Sequence, residues 1–337
     1  MKCTNKKKKY NPQVHTRVIA FVLAVAISLI LCGCGNSKYS MPYQVDSEVS
    51  GYNVISFDTD DKATPFAEDL CVVVGDVEGS ADLDITQATS AVLFDVNNKE
   101  VMYSKNAHER LYPASITKVM TALVALKYAS GEQVLTASEN VKITEPGAQL
   151  CGLKPGDTMT MEQALHILLM YSANDVAVMI AENVAGSEEA FLEMMNEEAN
   201  RLGATNTNFT NPHGLTEESH YTTAYDLYLI FNEAIKYETF NQIIHTSEYQ
   251  TTFYDKNGKA KEIKFSSTNR FINGKTEVPS DITVVGGKTG TTDAAGHCLI
   301  LLSKDTSGAQ YITVILRSTT GDDLYAEMSD LLEEINK

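Results

Sequence analysis

The sequence predicts an α+β fold: an antiparallel sheet built from N- and C-terminal strands, packed with helices, with a further helical part inserted between them. Three observations carry this. Short apolar runs of strand type lie at 90–95 and 101–103 near one end and at 298–303 and 311–318 near the other. Helical apolar spacing fills the middle of the chain. No internal repeat is present, so the two sets of strands have no partners but each other.

Taken in order, 70–74 (Leu-Cys-Val-Val-Val) reads as a short first strand. Asn97-Asn98-Lys99 turns the chain between 90–95 and 101–103, giving a hairpin. Pro113-Ala114-Ser115-Ile116-Thr117-Lys118 then opens a helix whose apolar residues run almost all round it, so it reads as buried; Ser130-Gly131 closes it. Residues 141–153 carry strand and turn signals, and Lys154-Pro155-Gly156-Asp157 is a turn. Thr160 is an N-cap for a helix over 161–171, which Ser172-Ala173-Asn174-Asp175 interrupts. Helices over 176–185, 187–202 and 223–237 follow, the first two closed by Gly186 and Gly203. Two strands flank Lys256-Asn257-Gly258-Lys259, another covers 283–292, and a last helix covers 322–335.

Charge narrows the function. The chain has 337 residues and a net charge of −17, which argues against nucleic acid, since phosphate binding needs clustered Lys and Arg. Without the six basic residues of 1–33 the charge falls further, to −23. Those residues lie ahead of an apolar stretch at 18–31, the pattern of a targeting segment too short to span a membrane. It ends Leu31-Cys32-Gly33-Cys34, which resembles a bacterial lipobox and implies lipidation of Cys34. Cys3 also belongs to that segment; the remaining three cysteines, Cys71, Cys151 and Cys298, are odd in number and lack metal-type spacing, so they read as buried thiols. The expected organisation is a signal peptide over 1–33, an acidic tether over 34–85 and one catalytic domain over 86–337.

Three short motifs carry the chemistry. Ser115 and Lys118 are three apart on one helical face, so they can touch. A lysine buried there loses solvation, which lowers its pKa and leaves a general base beside a nucleophile. Ser172-Ala173-Asn174 breaks an apolar helix, where a polar interruption needs a reason; the same Ser-x-Asn spacing at Ser104, Ser138 and Ser267 lacks that setting. Lys288-Thr289-Gly290 sits in the strand over 283–292. Asp175, Asp226 and Glu145 read as caps or surface charges, and His213 as structural.

The trio resembles the active-site serine penicillin-binding-protein and β-lactamase superfamily, with its S-x-x-K, S-D-N and K-T-G motifs. More closely, 112–121, 168–175, 211–215 and 287–292 resemble the D-alanyl-D-alanine carboxypeptidases of the low-molecular-mass kind. The resemblance covers roughly 88–318 and implies a transpeptidase-like fold. It implies Ser115 as nucleophile, Lys118 as general base, Ser172 as proton relay and Asn174 as holder of the substrate amide. Lys288 would supply a fixed positive charge and, with Thr289, draw in the substrate carboxylate. The backbone N–H groups of Ser115 and Thr291 would hold the oxyanion, and Gly290 would leave room for the substrate backbone. Two departures stand out: Ala173 replaces the aspartate of the second motif, and no β-rich second domain follows. Some relatives bind the substrate carboxylate with an arginine before the third motif; the nearest here is Arg270.

These features imply a serine D-Ala-D-Ala carboxypeptidase acting on peptidoglycan stem peptides through a Ser115 acyl-enzyme, acylated by β-lactams and needing no metal or organic cofactor. It would sit on the outer face of the cytoplasmic membrane, held by its N-terminal lipid. A D,D-endopeptidase is the main alternative. A class A β-lactamase is disfavoured because no Glu-x-x-x-Asn pattern follows Asn174, and a β-lactam sensor module because no signalling span is evident.

Overall fold

The computed structural model describes residues 67–337. In chain order the elements are β1 (Ala88–Asp95), β2 (Glu100–Lys105), α1 (Lys118–Tyr128), β3 (Val134–Thr136), β4 (Thr158–Thr160), α2 (Met161–His166), α3 (Asn174–Ala185), α4 (Glu188–Arg201), α5 (Ala224–Ala234), α6 (Glu238–His245), β5 (Glu248–Tyr254), β6 (Ala260–Ser266), β7 (Thr283–Thr292), β8 (Gly296–Lys304), β9 (Gln310–Ser318) and α7 (Gly321–Glu334).

Five strands pair antiparallel in the order β2-β1-β9-β8-β7. The two ends of the domain thus share one sheet, as the sequence predicts. Successive side chains on a strand go to opposite faces. Val92, Phe94, Ile300, Leu302, Ile312 and Val314 pack with α1, α3 and α5, while Leu93, Leu299, Leu301 and Ile315 pack with α7. A sheet covered on both faces needs continuous apolar strands rather than alternating ones. Helix α1 is buried without a break from Lys118 to Ala125. Its Met120, Leu123 and Val124 each contribute about 1.5–3 kcal/mol by leaving water. β7 is an edge strand, so one row of its backbone groups is free of the sheet.

The second sheet, β3-β4-β5-β6, is looser; β4 meets β5 through the single pair Thr158–Tyr254. Thr160 caps α2 as expected, in a reciprocal box with Gln163, whose side chain also reaches the Thr252 carbonyl at 2.9 Å. The helix then widens into a π-turn over Ile167–Tyr171, and Ser172 ends it with φ 69°.

Four expectations are corrected. Residues 70–74 form no strand: Cys71 and Val73 turn into the core, while Val72 and Val74 face solvent. Cys71 N–H donates to the Tyr228 hydroxyl instead of to a ladder. Residues 141–153 form no strand: Val141 ends a 3-10 turn and the rest is loop, whose Cys151, Gly152 and Leu153 N–H groups go to the Asp175 carboxylate instead of a ladder. The tether does not extend to 85. Cys71, Val73 and Ile85 are core residues, and the Ser80 N–H and hydroxyl bond Glu334, so at least 71–85 belong to the packed domain. Cys151 is half-buried, unlike Cys71 and Cys298; all three are free. The targeting segment, Cys34 and the tether up to 66 lie outside the described residues.

Candidate active site

Ser115 sits on a strained turn. Ala114 has φ 47°, left-handed for a non-glycine residue, which costs about 1–2 kcal/mol. Residues Ala114–Thr117 then form a 3-10 turn that runs into α1. In 3-10 geometry i and i+3 eclipse, so Ser115 and Lys118 are brought closer than plain α-helical spacing requires. The strain is held from below. The Thr210 N–H donates to His220 Nδ1 at 3.0 Å, so the proton of this imidazole is on Nε2. Nε2 donates to Thr117 Oγ1 at 2.8 Å, and that hydroxyl donates to the Ala114 carbonyl at 2.8 Å. Burial holds His220 down to about 4, so the ring stays neutral. Gly214, with φ 87°, completes the seat: a Cβ on it would lie 1.9 Å from the Ala114 carbonyl oxygen.

Lys118 is fully buried, and its Nζ lies 2.8 Å from Ser115 Oγ, 2.6 Å from Asn174 Oδ1 and 2.6 Å from the His213 carbonyl. Burial first, and the nearby Lys288 second, hold its pKa well below 10.5. A neutral amine has two N–H donors and one lone pair. Two of its three neighbours are carbonyl-type oxygens that can only accept. In the neutral form these two oxygens would take both N–H groups and leave the lone pair facing the Ser115 hydroxyl. His213 is structural, as expected: its ring accepts the Leu215 N–H at 3.2 Å, and burial holds it down to about 3.

Period-two geometry corrects the reading of β7. Lys288 is fully buried, turned inward beneath Ser172 rather than lining the cleft. Its Nζ donates to Ser172 Oγ at 2.9 Å and to the Thr289 carbonyl at 2.8 Å. Burial lowers it to about 7, so its charge is not fixed at neutral pH as the sequence suggests. Gly290 is small for a different reason from the one expected. A Cβ there would lie 3.0 Å from Ser115 N and 2.9 Å from the Pro113 carbonyl, so glycine lets β7 approach the nucleophile turn. Thr289 faces the cleft, its hydroxyl 2.6 Å from that of Thr268.

A cleft of about 780 Å³ collects these groups. Ser115, Ser172, Asn174, Thr289, Gly290 and Thr291 all line it. Its far wall is the loop containing 145–149. Asp175, expected as a cap or surface charge, is fully buried and takes the N–H groups of Cys151, Gly152 and Leu153 at 2.9, 2.8 and 3.0 Å, which pins that loop. Asp226 is also buried, accepting from Asn206 N–H and Thr207; Glu145 is exposed. Arg270 lines the cleft too, paired with Asp322 at 2.6 Å and stacked 4.9 Å from the Tyr325 ring. Thr117, His220 and Asp175 are the site's members whose roles sequence spacing did not mark; Arg270 is the arginine noted before the third motif.

A family model described as D-alanyl-D-alanine carboxypeptidase matches residues 77–320. The chain belongs to this family. A D-alanyl-D-alanine carboxypeptidase of Bacillus subtilis (strain 168), DacF, is 36% identical over 251 residues, covering 73% of this chain and 61% of the relative. A D-alanyl-D-alanine endopeptidase of Pseudomonas aeruginosa is 32% identical over 212 residues, covering 63% of this chain and 66% of the relative. The match thus spans about 60% of the first carboxypeptidase relatives' length. Among solved structures, the D-alanyl-D-alanine carboxypeptidase of Mycobacterium tuberculosis H37Rv superposes with TM-score 0.67 at 26% identity, covering 77% of this chain and 96% of the other. The DD-transpeptidase of Streptomyces K15 shares the fold, with TM-score 0.69 at 24% identity, covering 75% of this chain and 98% of the other. The carboxypeptidase-family fold expected from the three motifs is therefore the fold observed.

Replacing Gly214 with Ala tests the nucleophile seat. Gly258→Ala is the control, because Gly258 has φ 75° but nothing within 4 Å of its Cβ position. The control should cost about 1–2 kcal/mol from backbone strain alone. Gly214→Ala should cost about 3 kcal/mol or more, a fall in Tm of about 6–12 °C. Equal losses by calorimetry would show that Gly214 is no tighter than an open turn.

Proposed function

We propose that this chain is a serine D-Ala-D-Ala carboxypeptidase of the bacterial cell wall. The observation that carries the reading is the fully buried Lys118 Nζ, 2.8 Å from Ser115 Oγ and held at 2.6 Å by two carbonyl oxygens. The substrate is a peptidoglycan stem peptide lying along the free edge of β7. Its terminal carboxylate faces Thr289 and Arg270, the only cationic side chain on the cleft wall among the described residues apart from the histidine His297. Ser115 Oγ attacks the carbonyl of the penultimate D-alanine as Lys118 takes the hydroxyl proton. The backbone N–H groups of Ser115 and Thr291 hold the oxyanion. Asn174 keeps Lys118 in place through Oδ1 and offers its amide N–H groups to the substrate. Ser172, resting on Lys288, passes the proton that Lys118 has taken on to the departing amine, and D-alanine leaves. Water then attacks the ester carbonyl; Lys118 takes its proton and hands it to the Ser115 oxygen as the acyl bond breaks, freeing the Ser115 hydroxyl and the neutral amine.

Ser115→Ala should abolish both D-alanine release from a pentapeptide and labelling by fluorescent penicillin, since a β-lactam acylates the same oxygen. Retained labelling would remove Ser115 from the mechanism. The products separate this reading from the endopeptidase one: free D-alanine by mass spectrometry supports the first, and split cross-linked dimers the second.

The lipobox-like Leu31-Cys32-Gly33-Cys34 supports attachment to the outer face of the cytoplasmic membrane through a lipid on Cys34. Cys34→Ala should move the protein from the membrane to the soluble fraction and end incorporation of labelled palmitate. Unchanged membrane association and labelling would reject the anchor.

A further inference from the structure

Four arginines lie among the described residues, and two are held in ion pairs: Arg201 with Glu198 and Glu233, and Arg270 with Asp322. The other two, Arg110 and Arg317, have no carboxylate partner among the described residues, and both line one pocket of about 220 Å³. In a chain of net charge −17, carboxylates are plentiful, so two unneutralised arginines on one pocket call for an explanation. Arg110 is already ordered, 4.6 Å over the Tyr221 ring and donating to Asn206 Oδ1 at 3.0 Å. Arg317 holds φ 56°, and a non-glycine residue kept left-handed at a cost of about 1–2 kcal/mol points to use.

The pocket adjoins the catalytic cleft, because Ala294 lines both. Substrate direction then decides what reaches it. With the terminal carboxylate at Thr289 and Arg270, a peptide adding antiparallel to β7 runs upstream past Thr292 toward Ala294. In a stem peptide, the residue two before the penultimate D-alanine is a D-glutamate linked through its side chain. Its backbone α-carboxylate is free. Two residues of extended chain cover about 7 Å, the length of two residues of the strand beside which they lie. Glu218 also lines the pocket, so its net charge is a single positive, matched to one carboxylate rather than to a dianionic phosphate.

We infer that Arg110 and Arg317 form a carboxylate subsite for the upstream part of the stem peptide, and that it takes the free α-carboxylate of the γ-linked D-glutamate. The inference rests on the carboxypeptidase reading above. Its test uses the full chain and two pentapeptides, L-Ala-γ-D-Glu-L-Lys-D-Ala-D-Ala and the same peptide with that α-carboxylate amidated. The readouts are KM and kcat for D-alanine release and, independently of turnover, Kd by NMR titration of the Ser115→Ala protein. Arg110→Gln with Arg317→Gln should raise KM and Kd for the carboxylate peptide about tenfold, the effect of one charge-assisted hydrogen bond. Constants for the amidated peptide, and kcat for both, should not change. Unchanged constants for the carboxylate peptide would overturn the subsite, and so would equal losses on both peptides. Failure of the carboxypeptidase reading looks different: unsubstituted protein would release no D-alanine from either peptide, while the Kd comparison would still report on the arginines.

Discussion

The active site depends on a lysine amine kept away from water between two carbonyl oxygens. Everything near Ser115 serves that arrangement. Burying Lys118 at the start of α1 lowers its pKa, and the Asn174 and His213 oxygens are placed to take the donors of its neutral form. An ammonium in the same place would donate to Ser115 and could take no proton from it. The second lysine extends this logic: Lys288, also buried, disfavours a charge on Lys118 and donates to Ser172.

The scaffold fixes this geometry by bringing three distant segments against one strained turn. The 211–215 loop supplies the His213 carbonyl and the Gly214 seat, and β7 supplies Lys288 and the Gly290 gap. The break between α2 and α3 supplies Ser172, left-handed at φ 69°, and Asn174. Strained backbone at both serines is tolerable because each turn is over-determined by its neighbours. At Ala114 the neighbours are Thr117 and neutral His220. On the other wall a single carboxylate, Asp175, orders the loop that closes the cleft.

Features encoded by local spacing were legible in the sequence. The Ser115–Lys118 pair follows from a three-residue offset, the Thr160 cap from side-chain chemistry, and the β7 and β9 strands from apolar runs. The three motifs in order pointed to the family that the match over 77–320 establishes. What was not legible depends on partners far away in sequence. His220 acts on Thr117 across 103 residues, and Asp175 on backbone 22–24 residues earlier. A buried Asp and a surface Asp look alike in a sequence, so Asp175 and Asp226 were misread. β3 and β4 were missed because three residues are too few to show a period. Lys288 was assigned to the substrate because its motif suggested charge, whereas strand alternation turns it inward.

The ionisation of Lys118 in the resting protein is the most direct test of this account. A ¹⁵N NMR titration of its Nζ, assigned by comparison with Lys118→Arg and Lys288→Arg proteins, reports the amine and ammonium forms separately. The account predicts a midpoint well below 10.5, with the neutral amine present in the unligated enzyme. An ammonium signal persisting until pH reaches that ordinary lysine value would contradict it, and Ser115 would then need another base.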